Sequence, residues 1–210
     1  MLKSSSRLLA LSLVALLAAC QSVPQPAPEI EPANTTEPAA QIEPTAAPEP
    51  VDLDQQLYQQ ALLALKNGDT EIALDALTQL SKSAPDKPYL FTNLGLAHFK
   101  LQQGEDAELA FTEAIARDAN DAVAHNHLGI LQRRKGQFQE ALQQYQRAIE
   151  IDANYATAHL NIGILFDLYL QDLDRALQHY QNYQSLSNGD DKQVDGWIID
   201  IERRLKTAAS

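Results

Sequence analysis

One pattern of small and large positions repeats along the chain with a fixed period. Three glycines lie 34 residues apart, each after a leucine or isoleucine: Gly95, Gly129 and Gly163. In the same register, alanines and aromatic residues recur at matching offsets: Ala107, Phe111 and Ala114, then Ala141, Tyr145 and Ala148. A constant period of about 20–50 residues is typical of a stack of similar supersecondary units. The pattern therefore predicts a solenoid.

Both ends of the repeat depart from the pattern. One period before the first glycine unit, the corresponding positions hold Gly68, Ala73 and Leu77. Ala61 stands there where a glycine is expected, and Leu80 where an alanine is expected. In the last unit, Ala176 follows Gly163 by thirteen residues rather than twelve, so we predict one extra residue in the turn 171–174. End units of solenoids are often atypical. We predict four units, at residues 54–87, 88–121, 122–155 and 156–190.

Residues 191–210 predict a further helix and a short tail. Apolar side chains recur there at helical spacing: Val194, Trp197, Ile198, Ile201 and Leu205. The opposite face carries charged residues, which indicates an amphipathic helix with one buried stripe. We expect this helix to cap the exposed end of the fourth unit.

The register of glycines, alanines and aromatic residues resembles the tetratricopeptide-repeat (TPR) family. The resemblance implies two antiparallel helices per unit, A and B, in an all-α fold. Small residues are expected where the helices of a unit cross closely, and large rings at Phe111, Tyr145 and Tyr180 between units. Gly68 and Gly136 fall at the turns between A and B, where a left-handed backbone is useful.

The first 19 residues read as a secretory signal. A basic start is followed by an apolar stretch, 8–19, which is shorter than the roughly 20 residues that span a bilayer. The stretch ends in Leu-Ala-Ala-Cys, which resembles the lipobox of bacterial lipoproteins and implies a lipid anchor on Cys20. In such lipoproteins a residue other than Asp after the cysteine, here Gln21, favours the outer membrane. The resemblance therefore implies the periplasmic face of a Gram-negative outer membrane.

Residues 20–53 are expected to form a disordered or extended tether. The segment holds eight of the ten prolines, and its charged residues are five Glu and one Asp. Few apolar residues and many prolines leave no means of building a core. We expect the tether to hold the repeat domain away from the lipid surface.

Charge and motifs argue against several function classes. The chain has 16 basic and 28 acidic residues, a net charge of −12, which becomes −14 if Lys3 and Arg7 leave with the signal. Nucleic-acid binding is therefore not expected. His125 and His127 are two residues apart and point to different faces of a helix, so they cannot chelate one ion. His125 and His159, one period apart, are expected to be packing residues, and we predict no enzyme activity, cofactor or metal.

In the TPR family the A helices line a groove that holds a peptide or a partner helix. One position per unit predicts a polar row along it: Gln59, Asn93, His127 and Asn161. A second position in each unit predicts an apolar row along the same groove: Leu62, Leu96, Ile130 and Ile164. Flanking both are Tyr89, Phe99, Lys100, Asn126, Arg133 and Arg134. Amides can bind an extended backbone, and the cations suit acidic groups or a free carboxylate. Alternatively, the polar residues only solvate the inner face and the apolar row packs within the A-helix layer.

These features predict a non-enzymatic scaffold that binds an envelope protein or a peptide segment and is attached to the membrane through Cys20. The resemblance suggests pilotin-like assembly of a secretin, an adaptor for peptidoglycan enzymes, or an accessory of a TonB-type system. Two alternatives stay open: a structural spacer that binds cell wall or itself, and a hydrolase or metal protein without a recognisable motif. The oligomeric state is not predicted.

Overall fold

The computed structural model describes residues 52–87, 89–189 and 191–208. The predicted signal (1–19) and nearly all of the predicted tether (20–53) lie outside these residues. Within them the fold is all-helical, without strands. The nine α-helices are α1 Leu53–Asn67, α2 Thr70–Ser83, α3 Leu90–Lys100, α4 Gly104–Arg117, α5 Ala122–Arg134, α6 Phe138–Ile151, α7 Ala156–Leu165, α8 Leu173–Leu186 and α9 Lys192–Ala208.

The helices pair in chain order as predicted. In each of the four units, an A helix (α1, α3, α5 or α7) packs on the B helix that follows it (α2, α4, α6 or α8). The first three B helices also contact the A helix of the next unit, so the units stack in sequence, and α9 packs on α8. Short connections of this kind make neighbouring helices antiparallel. The predicted solenoid of four units with a C-terminal capping helix is confirmed.

Aspartates define where three of the helices begin. The Asp52 carboxylate accepts a hydrogen bond from the backbone N–H of Gln55 at 2.9 Å, and α1 starts at Leu53, one residue before the predicted unit boundary. Asp121 caps α5 and Asp172 caps α8 in the same way. A side-chain acceptor at this position satisfies one of the free N–H groups of a helix start.

The repeated glycines lie where the helices of a unit meet. A Cβ atom built on Gly95, Gly129 or Gly163 would lie 2.6–2.7 Å from a ring carbon of the aromatic residue on the B helix of the same unit. That aromatic residue is Phe111, Tyr145 and Tyr180 in turn. Their rings are almost fully buried, and the clusters that contain them include side chains of the following helix. The predicted close crossing is confirmed.

The turns between A and B use a left-handed residue in every unit. Gly68 and Gly136 have φ of 89° and 78°, as predicted, and Gln102 and Gln171 occupy the equivalent positions with φ of 60° and 55°. Gly136 follows Gly129 by seven residues, whereas Gln171 follows Gly163 by eight. The extra residue of the fourth unit therefore lies before Gln171, and the prediction that the turn 171–174 holds it is wrong.

A π-helical segment at the end of the last A helix absorbs that residue. The backbone runs as α-helix to Leu165 and then as π-helix from Phe166 to Leu170. A π-turn contains one residue more than an α-turn, so it lengthens helix A without altering the turn that follows. Arg204 of α9 forms an ion pair with Asp167 at 2.9 Å, which ties this segment to the capping helix. Among the helices that the structure describes, none is both long and apolar enough for a bilayer crossing.

Candidate functional site

The predicted groove residues lie on three neighbouring A helices, and we call the surface that they share the A-helix surface. On α3 and the residue before it, the surface is formed by Tyr89, Asn93, Leu96 and Lys100. Helix α5 contributes Asn126, His127, Ile130, Arg133 and Arg134, and α7 contributes Asn161 and Ile164. Helix α5 contacts both α3 and α7 directly. The fold therefore brings residues from three units together.

The amides on this surface connect one A helix to the next. The side-chain amide of Asn93 donates to the Tyr58 hydroxyl at 3.0 Å, and the side-chain amide of Asn161 donates to the side-chain oxygen Oδ1 of Asn126 at 2.9 Å. Asn126 is fully buried and Asn161 nearly so. Buried polar groups need such partners, because an unpaired amide is costly. The predicted exposure of Asn126 and Asn161 to a ligand is thus corrected: both amides hold the A helices in register. Gln59, in the same row, is exposed.

His127 lies between two aromatic rings. Its ring stacks on Phe111 and meets the edge of Phe99, with centroid distances of 5.3 Å in both cases. Because a carbonyl can only accept, its Nδ1 donates a hydrogen bond to the backbone oxygen of Val123 at 2.9 Å. Burial lowers the pKa of His127. The ring is therefore a neutral packing element at pH 7, with Nε2 as its remaining acceptor.

The apolar row lies partly inside the core. Leu96 packs against the central hydrophobic cluster, while Ile130 and Ile164 pack against the C-terminal one. Each is only half-buried, so part of each side chain still faces solvent. Tyr89 is 65% exposed and has a left-handed backbone with φ of 56°; it lines an open cleft of about 450 Å³ with Phe91 and Arg117.

Three cations of the A-helix surface have no carboxylate partner within the described residues. Arg133 donates through Nε to the Tyr145 hydroxyl at 3.3 Å, and Lys100 donates to the backbone oxygen of Leu65 at 3.3 Å. The Arg134 guanidinium lies 4.6 Å from the ring centre of Phe99. These contacts orient the charges but do not neutralise them.

The other arginines in the described part of the chain behave differently. All of them form ion pairs with carboxylates: Arg117 with Asp86 and Glu113, Arg147 with Glu150, Arg175 with Asp172, Arg203 with Asp200, and Arg204 with Asp167 and Asp200. In a protein with so many more acidic than basic residues, unpaired arginines next to each other are unexpected. The A-helix surface is therefore locally basic and prepared to accept an anionic group.

Sequence reasoning missed the aromatic edge beside these cations. The π-helical segment exposes Leu168 and Tyr169, which are 63% and 42% solvent-accessible. The Tyr169 ring packs on Phe138 at 4.6 Å, and the Arg133 guanidinium lies 5.9 Å from its centre. The one-residue shift between Gly163 and Ala176 was the only signal of this segment. The π-helical segment thus places the exposed side chains of Leu168 and Tyr169 next to the unpaired charge of Arg133.

Two buried histidines occupy the same position in successive units, as predicted for packing residues. The Nδ1 of His125 lies 2.6 Å from the Gln144 side-chain oxygen, and the Nδ1 of His159 lies 3.1 Å from the Nδ1 of His179. Burial, the neighbouring His159 and the positive charge of Arg175 lower the pKa of His179 from 6.5 to about 4. No group of three or more His, Cys, Asp or Glu side chains suited to a metal occurs in the part of the chain described.

The histidine pair is expected to make stability depend on pH. Between pH 6.5 and about 4 the unfolded chain binds more protons at His179 than the folded chain, so the free energy of unfolding decreases as the pH falls through this window. Thermal unfolding at pH 7 and pH 4.5, followed by circular dichroism, measures the loss. His179→Gln removes the titrating group, and we expect a smaller loss in that variant. An equal loss in both proteins would assign the pH dependence to other groups.

The fold and the comparisons define the class of protein. Stacked pairs of antiparallel helices with small residues at each crossing form a helical-repeat solenoid. Family models for the tetratricopeptide repeat match residues 58–122 and 110–143, and a TPR-repeat model matches residues 131–168. The chain therefore carries a tetratricopeptide-repeat domain. No curated protein matches the chain in the sequence search.

Solved structures with the same fold are distant in sequence. MamA from Desulfovibrio magneticus RS-1 is 21% identical, with a TM-score of 0.57 over 66% of this chain and 78% of that one. YrrB, a TPR protein with an unusual peptide-binding site, is 22% identical, with a TM-score of 0.56 over 68% and 72%. The first TPR of Spaghetti (RPAP3), bound to an HSP90 peptide, is 24% identical, with a TM-score of 0.53 over 57% and 94%. At these identities the likeness establishes the fold alone.

Proposed function

We propose that this protein is a non-enzymatic adaptor whose A-helix surface binds an acidic segment of a partner in the bacterial envelope. TPR proteins typically mediate interactions between proteins, and two of the structural neighbours are described with peptide-binding sites or bound peptides. The lipid anchor on Cys20 and the location at the periplasmic face of the outer membrane are part of the proposal, and they follow from the lipobox resemblance. They would bring the repeat domain to partners at that membrane.

The observation that carries the proposal is the set of unpaired cations. Arg133 and Arg134 are adjacent in sequence, are oriented by the rings of Tyr145 and Phe99, and have no carboxylate partner among the described residues. An oriented guanidinium loses less side-chain entropy when it binds a carboxylate. The exposed Tyr169 and Leu168 beside them offer apolar contact area. A segment with carboxylates next to an apolar side chain fits this combination of groups.

Replacement of both arginines tests the proposal. We expect Arg133→Gln/Arg134→Gln to weaken binding of a labelled, Glu-rich peptide with one central Leu by about a hundredfold or more, because each of the two lost charge-assisted bonds contributes about 1.5 kcal/mol or more. Fluorescence anisotropy on the full chain measures the affinity, and added salt should weaken wild-type binding.

A control variant distinguishes peptide binding at the A-helix surface from an effect of the protein's net charge. Arg147→Gln removes a half-exposed arginine from a B helix, where Glu150 already pairs with it at 3.2 Å. That variant should bind the peptide as the wild type does. If Arg147→Gln reduced the affinity as much as the double replacement, the peptide would be responding to net charge and not to the A-helix surface.

Crosslinking in cells then identifies the partner. A photoreactive amino acid at Tyr89, which is 65% exposed beside the A-helix surface, is compared with one at Ile72, which is 66% exposed on the B helix α2. Envelope proteins captured at position 89 and not at position 72 would support the adaptor. Capture of this protein alone, or of cell-wall material equally at both positions, would favour a structural spacer.

A further inference from the structure

The imidazoles of His159 and His179 lie within hydrogen-bond distance of each other. They project from α7 and α8, and their Nδ1 atoms are 3.1 Å apart, with ring centres at 5.2 Å. His159 is 8% exposed. An open cleft of about 330 Å³ adjoins His159 and is also lined by the polar side chains of Asn182 and Ser185. Of the two rings, that of His159 therefore borders a space that reaches solvent.

We propose that His159 and His179 form a chelating site for a late first-row divalent ion such as Zn²⁺. Zinc binds imidazole nitrogen at about 2.0–2.1 Å, so two nitrogens on one tetrahedral ion lie about 3.3 Å apart, close to the spacing found here. Imidazole is a preferred ligand for Zn²⁺ and Cu²⁺. Water molecules would supply the remaining ligands of the tetrahedral ion.

The surroundings of His159 and His179 favour metal binding by both rings. Burial lowers the pKa of both rings, and the neighbouring His159 and Arg175 lower the pKa of His179 further, which favours the neutral form that binds metals. His159 also hydrogen-bonds the backbone carbonyl of Ala153. With Nδ1 facing His179, this bond is made through Nε2 and leaves the Nδ1 of His159 unprotonated. A second-sphere carbonyl of this kind orients metal-ligating histidines.

Ion binding at this pair needs only one tautomer change. The hydrogen between the two Nδ1 atoms belongs to His179, and it moves to the Nε2 of the same ring when a metal takes its place, so no net proton is released. The positive charge of Arg175 acts on His179, and its guanidinium forms an ion pair with the Asp172 carboxylate at 2.6 Å. Repulsion of a divalent ion at the site is thereby reduced.

The preceding unit supplies a matched comparison. His125 occupies the position of His159, and it faces Gln144 where the fourth unit has His179. His179→Gln therefore rebuilds a pairing that this fold already accommodates, and the variant should remain folded. Conversely, Gln144→His creates a second histidine pair in the third unit.

Zinc titration by calorimetry on the full chain tests the site, with excess Mg²⁺ present to occupy carboxylates. We expect the wild-type chain to bind one ion and the Gln144→His variant to bind a second one. His179→Gln should bind zinc at least about tenfold more weakly, since loss of a ligand costs no less than loss of a second-sphere partner. Nitrogen-15 NMR should show both Nδ1 signals shifting in the wild type. Equal zinc affinity in the wild type and His179→Gln, or unshifted Nδ1 signals, would overturn the proposal.

Discussion

Gly129→Leu is expected to destabilise the repeat domain by roughly 3 kcal/mol, the upper end of the usual cost of overpacking a core. A Cβ atom at this position would lie 2.7 Å from Cε1 of Tyr145 and 3.2 Å from the backbone oxygen of Ala141. The Tyr145 ring is fully buried and its hydroxyl accepts from Arg133, so it cannot move aside without opening the core. Thermal unfolding by circular dichroism should show a midpoint about 6–12 °C lower.

Alanine at two glycines provides the control. Gly196 lies inside α9 with nothing within 4 Å of an added Cβ, so Gly196→Ala should stabilise the protein by about 0.5–1 kcal/mol, the usual advantage of alanine in a helix. Gly129→Ala should instead destabilise it, because the same methyl group meets the Tyr145 ring. If both replacements stabilised the protein equally, close helix crossing would not be the reason for glycine at position 129.

The fold was predictable from the sequence because its tightest contacts allow few residue types. Where Gly95, Gly129 and Gly163 meet an aromatic ring at less than 3 Å from an added Cβ, no side chain fits, and the constraint recurs at the repeat period. The sequence predicted that the fourth unit holds an extra residue, but not where in the unit that residue lies. A turn and a π-helical segment both accommodate one more residue, and the sequence spacing between Gly163 and Ala176 is the same in either case.

The candidate site was predictable in part. Helical spacing assigns the predicted site residues other than Tyr89, which precedes α3, to the A helices, but it does not give the distance between neighbouring A helices. Asn126 and His127 are adjacent in sequence, yet Asn126 is fully buried in a contact with Asn161, while His127 is only partly buried. Nor does the sequence reveal which arginines have carboxylate partners, because some of the ion pairs join residues more than 30 positions apart, such as Arg117 with Asp86 and Arg204 with Asp167.

The capping helix buries one stripe of α9 against the last unit. Val194 and Ile201 are almost fully buried in the same cluster as Ile162 and Tyr180. Trp197 packs on Tyr180, with ring centres 5.4 Å apart. Without this helix, the apolar face of α8 that α9 covers would be exposed. The cap should therefore contribute strongly to stability, and Trp197, the only tryptophan, reports on it directly.

Ile201→Ala is expected to lower the free energy of unfolding by about 2–5 kcal/mol, the usual loss when a buried isoleucine leaves a cavity. Ile199, on the same helix, is 67% exposed, so Ile199→Ala should change stability by no more than about 0.5 kcal/mol. Urea unfolding followed by Trp197 fluorescence and by far-ultraviolet circular dichroism measures both variants. In Ile201→Ala we expect the fluorescence transition to precede the loss of helix, because the cap detaches first from a stack whose units contact only their neighbours. Equal effects of the two replacements would mean that α9 does not pack on the fourth unit through this stripe.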